Sequence, residues 1–160
     1  MGLDQYAYIK LFSDQQVDKL TFLVVISVND RNPLEFELKL DQPIYNIGQV
    51  DIAYWRKHPD LQGWMERLWR KRIGKLDNYR KDTTMDNMFN CVELSLTFND
   101  ISKLEKDIKD GNLDEGYGTT TGFFFGDQKN YEYKERDLTF CHNAKVALAA
   151  GLIVCYNSSW

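Results

Sequence analysis

Ile52-Ala53-Tyr54-Trp55-Arg56-Lys57-His58-Pro59-Asp60-Leu61-Gln62-Gly63-Trp64-Met65-Glu66-Arg67-Leu68-Trp69-Arg70-Lys71-Arg72 holds three of the four tryptophans in the chain. His58-Pro59 suits a helix start: proline fits the first helical position, and Asp60 then meets the positive end of the helix dipole. Leu61, Trp64, Met65, Leu68 and Trp69 follow at i, i+3, i+4, i+7 and i+8, which makes one apolar stripe. Arg67, Arg70 and Lys71 fall away from that stripe, and Gly74 is placed to close the helix. Large apolar residues at helical spacing mean packing, so Trp64 and Trp69 are assigned to the core. Tyr54, Trp55, Arg56 and Lys57 stand just before the helix, where free N–H groups and the dipole favour an anion and the rings favour a stacked base. The opposing reading, with Trp55 in the core and Arg56 in an internal ion pair, is equally open.

The charge distribution points to the same region. The chain of 160 residues carries a net charge of −4, yet Arg56 to Lys81 contains nine basic and three acidic residues, a local +6 that leaves −10 elsewhere. Such asymmetry steers an anionic partner toward one face, although basic residues also simply solubilise the outer side of a helix. A hydrophobic share of 43% and an aromatic share of 14% argue against disorder, and the length suits one domain. The longest apolar run, Phe22-Leu23-Val24-Val25-Ile26, is strand-sized and too short to span a membrane. The N-terminus has no basic and apolar secretion signal. The three cysteines, Cys91, Cys141 and Cys155, lack metal-ligand spacing and read as free, mostly buried thiols of a cytoplasmic protein.

Working outward, Tyr6 to Phe12 reads as a strand, and so does the nearly continuous apolar run Thr21 to Val28. Leu34, Phe36, Leu38 and Leu40 alternate with charged residues, which predicts a half-exposed strand forming a hairpin with the previous one across the Asn29–Pro33 turn. Lys75 to Asn90 is polar and reads as a long loop. Cys91 to Phe98 alternates as a strand, Asn99-Asp100 is read as an N-cap, and Ile101, Leu104 and Ile108 trace a helix ended by Gly111. Gly116 to Gly126 packs four glycines and three threonines around a Phe triplet. Its Thr119-Thr120-Thr121-Gly122 segment can aim N–H groups at a ligand, but no Gly-Lys-Ser/Thr of a P-loop follows. Asp137 opens a last helix whose inner line is read as Leu138, Cys141, Lys145 and Leu148, and Leu152 to Tyr156 is a final strand followed by an aromatic tail. The whole predicts a single α+β domain, with an antiparallel or mixed sheet of about five strands covered by about three helices.

Catalytic motifs are absent: there is no Gly-x-Ser-x-Gly elbow, no His-Glu-x-x-His helix and no acidic metal cluster. His58 as acid or base, with Arg56 and Lys57 holding an anion, is the one arrangement available, against a plain surface histidine at a helix start. Neither a metal nor a cofactor is implied.

Several segments together carry a resemblance: Met1-Gly2-Leu3-Asp4, the box Tyr54-Trp55-Arg56-Lys57 followed by Trp64, the box Gly122-Phe123-Phe124-Phe125-Gly126, and Asp137-Leu138. The chain resembles a family of small bacteriophage proteins, above all forms from phages of cyanobacteria. Members often carry the label phosphoglycerate kinase, an activity that needs two domains around a cleft, which a chain of this size does not provide. The resemblance implies a viral protein working in the cytoplasm of an infected host, in an accessory or counter-defence role. The sequence therefore leads to a non-enzymatic binding protein whose partner is a host protein, a nucleotide-like defence signal or nucleic acid. The surface would be Tyr54 to Lys57, Arg67, Arg70, Lys71 and Thr119 to Gly122. The second reading is a small enzyme acting on a phosphorylated or nucleotide substrate, and the third a purely structural role for both boxes.

Overall fold

Alternation at the start of the chain becomes a strand in the middle of a sheet. The computed structural model describes residues 2–11, 24–26, 38–40, 48–74, 89–113 and 133–160. In chain order these form β1 (Asp4–Lys10), β2 (Val24–Ile26), β3 (Leu38–Leu40), β4 (Gln49–Arg56), α1 (Pro59–Arg72), β5 (Leu94–Leu96), α2 (Phe98–Asp110), α3 (Lys134–Ala149) and β6 (Ile153–Ser159). Four strands make an antiparallel sheet in the order β4-β1-β6-β5. The α+β class and the three helices are as expected. The strands, however, divide into this sheet of four and a separate β2–β3 pair rather than one sheet of about five. That pair runs parallel, so it is not the hairpin expected from sequence. The Asn29–Pro33 turn, nearly all of the Lys75–Asn90 segment and the whole Gly116–Gly126 stretch lie outside the described residues.

The sheet has two unlike faces. Gln5, Ala7, Ile9, Val50, Trp55, Leu94, Leu96, Val154 and Tyr156 are buried, and they pack with Leu61, Trp64 and Met65 of α1, Ile101, Leu104 and Ile108 of α2 and Phe140, Ala144 and Ala147 of α3. The alternate positions Tyr6, Asp51, Tyr54, Arg56, Ser95 and Ile153 are exposed. Tyr8 lies on that outer face but is buried, its hydroxyl donating to Glu93 at 2.6 Å. Between Ala7 and Tyr8 the pairing with β4 slips, leaving Ile52 as an extra residue in a bulge of this edge strand.

Local chemistry explains the helix ends. α1 starts at Pro59, and α2 starts from Thr97, whose side chain accepts from the Asp100 N–H while Asp100 accepts from the Thr97 N–H. This reciprocal box sits two residues before the Asn99-Asp100 cap expected from sequence. Gly111 ends α2 at φ 73°, a left-handed conformation that glycine adopts without steric cost. In α3 the buried line is Asp137, Phe140, Cys141, Ala144 and Ala147; Leu138, Lys145 and Leu148 are only half-buried. Lys145 instead reaches Glu105 of α2. β6 continues through Asn157-Ser158-Ser159, past the end of the Leu152 to Tyr156 strand expected from sequence.

Candidate functional site

The Tyr54-Trp55-Arg56-Lys57 box is the end of a strand, so its residues point alternately to opposite sides. Trp55 turns inward and is fully buried, its Nε1 donating to Asp137 Oδ1 at 2.7 Å. The other carboxylate oxygen, Oδ2, lies 2.9 Å from His58 Nε2, also fully buried. A carboxylate oxygen accepts, so Nε2 carries the proton and Nδ1, buried without a hydrogen-bond partner among the described residues, carries a lone pair. The Tyr133 ring stacks on the imidazole at 4.2 Å, and its hydroxyl donates to the Arg56 carbonyl at 2.9 Å. Gln5 closes the group from β1: its Oε1 accepts from the His58 N–H at 2.9 Å and its Nε2 donates to the His58 carbonyl at 3.1 Å and to Tyr156 Oη at 2.8 Å. Tyr156 passes the chain on to Gln62 at 2.7 Å, and Gln62 to the Phe89 carbonyl at 3.2 Å. Burial drives the Tyr156 phenol far above its ordinary range, which keeps it a neutral donor. This network fixes the junction of β4, α1 and α3.

Tyr54 and Arg56 turn outward. Tyr54 is 43% exposed and Tyr6, its cross-strand partner, 37%; their rings lie 5.1 Å apart with a 42° tilt. The Tyr54 hydroxyl donates to Asp4 at 2.6 Å, and that bond raises the phenol above its ordinary range. Arg56 is exposed one step further along the same face, opposite Asp4. Lys57 follows in a left-handed turn at φ 58°, its N–H bonded to the Leu3 carbonyl at 2.8 Å. Among the described residues neither Arg56 nor Lys57 has a carboxylate at ion-pair distance. Arg136, exposed in the first turn of α3, reaches round the edge of the sheet and donates to the Tyr54 carbonyl at 3.3 Å.

The box thus divides. Tyr54, Arg56 and Lys57 stay accessible, whereas Trp55 is a core residue. His58 is not the surface histidine expected from its position, and it shares no surface with Arg56. The basic side of α1 is not one solvated face either: Arg70 is buried and bonded to Glu66 at 3.1 Å, Arg67 is half-buried, and of the three named there Lys71 alone is exposed. Lys71 stands at the far end of the helix, roughly 20 Å from Lys57 at 1.5 Å per residue. Thr119, Thr120, Thr121 and Gly122 lie outside the described residues.

Comparison with family models, with curated proteins and with solved structures found no match. Among the described residues no helix is long and apolar enough to cross a membrane, and no three His, Cys, Asp or Glu side chains gather to hold a metal ion. Sequence reading missed Tyr6, Arg136 and Tyr133 as neighbours of the box. The alternation of β1 puts Tyr6 on a known face, but nothing local says that Tyr54 lies beside it.

Proposed function

We propose that this chain is a binding protein, not an enzyme, that engages an anionic partner on the outer face of its sheet beside the edge strand β4. One observation supports the reading above all: among the described residues Arg56 and Lys57 stand without ion pairs next to an exposed pair of tyrosine rings, in a chain that is acidic overall. Unpaired guanidinium and ammonium groups bind phosphate or carboxylate strongly, and Arg does so through two parallel bonds. The phage resemblance of the Met-Gly-Leu-Asp start and the two boxes favours an accessory role during infection. The enzyme reading through His58 lacks an approach path, since the imidazole is wholly buried.

A direct test uses fluorescence anisotropy with labelled long-chain polyphosphate as the probe. The native chain should bind it, and Arg56→Ala or Lys57→Gln should weaken binding while changing unfolding free energy by no more than about 0.5 kcal/mol, the range for exposed sites. Glutamine is chosen at position 57 because it keeps a long side chain in the left-handed turn. Binding that persists unchanged in both variants would place the anion elsewhere.

A further inference from the structure

The outer face offers more than charge. Across the sheet Tyr54, Tyr6 and Asn157 form one row in register, and the next row holds Arg56, Asp4 and Ser159. Two tyrosine rings side by side on neighbouring strands, tilted 42° to each other, make an aromatic step that is partly open to solvent. Rings exposed in this way offer a stacking face to a planar partner. One row along, about 7 Å away at two residues per strand repeat, stands Arg56. That step is comparable to the reach from a nucleobase to the phosphate of its own nucleotide.

From this placement we infer that the Tyr6–Tyr54 step binds single-stranded nucleic acid, the rings stacking unpaired bases while Arg56, Lys57 and Arg136 follow the phosphates along the β4 edge. The inference rests on the reading of this face as an anion-binding surface and names its ligand class. A duplex does not fit, because its bases already cover one another's faces and present no ring to the tyrosines. Asp4 sets the path of the backbone. Its carboxylate, on the inner strand β1 and held by the Tyr54 hydroxyl, repels phosphate there, while Arg56 stands on the edge strand β4 and Arg136 donates to the Tyr54 carbonyl of that same strand. Stacking on the two rings reads no sequence, so the surface accepts any unpaired strand, with preferences set only by how well each base stacks.

The test compares three labelled probes of equal length by anisotropy: oligothymidylate, an abasic deoxyribose-phosphate strand and a duplex. Thymidylate should bind more tightly than the other two. Tyr6→Leu and Tyr54→Leu should each weaken thymidylate binding by about fivefold or more, the lower end of measured base-stacking losses, with abasic binding unchanged. With three phosphate contacts, the slope of log affinity against log salt should be about −2. An abasic strand or a duplex that binds as well as thymidylate overturns the stacking inference but leaves the anion-binding surface intact. Failure of all three probes and of polyphosphate overturns both. Leucine variants that keep native circular dichroism and native thymidylate affinity also overturn the inference.

Discussion

Asp137 offers the sharpest test of how the site is held. Its two oxygens serve two buried donors on one strand-to-helix junction, Trp55 Nε1 and His58 Nε2. Asp137→Ala leaves both buried donors without partners, at about 1–3 kcal/mol each. Asp137→Asn is milder. Its amide oxygen still accepts from Trp55, while its NH2 meets His58 Nε2, which must then shed its proton to Nδ1. That nitrogen has no acceptor, so one buried donor goes unsatisfied and the expected loss is about 1–3 kcal/mol. Urea unfolding followed by circular dichroism measures both, with the m value as a check that the unfolded state is unchanged. Arg136→Ala, at the exposed neighbour, is the control and should lie within about 0.5 kcal/mol. If Asp137→Ala also lies within that range, the network does not hold the junction and the reasoning is wrong.

Two further outcomes follow from other parts of the molecule. Thr97→Ala should cost about 1 kcal/mol by deleting the α2 cap, and Asp100→Ala should cost more, since its carboxylate also accepts from Arg72 of α1; equal losses in urea unfolding would contradict the linkage. In acid, Lys145 holds the Glu105 carboxyl below its ordinary 4.5 through a hydrogen bond. A depressed carboxyl stabilises the fold above that value and ceases to do so as pH falls through the lower, folded value. Lys145→Met should therefore flatten the stability curve as pH falls below the ordinary carboxyl range, leaving the part due to Lys109, and identical acid limbs would refute it.

Most elements were legible because their patterns are local. Pro59 with the stripe from Leu61 to Trp69 and Gly111 after Ile108 each state a helix in a few residues, whereas the strand expected over Cys91 to Phe98 is only Leu94–Leu96, because Thr97 already caps α2 and Phe98 is its first residue. β4 was not legible, and the bulge is the reason: Val50 and Ile52 keep a period of two, then the phase slips before Trp55, so no template fits all eight residues. Without the strand, Tyr54 and Trp55 read as neighbours at one opening instead of residues on opposite sides of a sheet. The burial of Arg70, Gln62 and Glu66 was hidden for another reason. A stripe predicts one packed side, whereas the first turns of α1 are enclosed nearly all round, and polar side chains tolerate that only with partners: Arg70 and Glu66 have each other one turn apart, while Gln62 has Tyr156, far away in sequence. The site needed two such distant meetings, Tyr6 with Tyr54 and Asp137 with His58.

The strand order β4-β1-β6-β5 also governs how the chain comes together during synthesis. β1 emerges first yet occupies an inner position, and one of its two neighbours is made only when residues 153–159 leave the ribosome. Closing contacts across nearly 150 residues is slow, because the whole intervening loop must be ordered before the pairing repays it. Until then Tyr8 and Ile9 offer an unpaired strand flank to any passing chain, so this molecule is most vulnerable to aggregation while β6 is not yet free to pair.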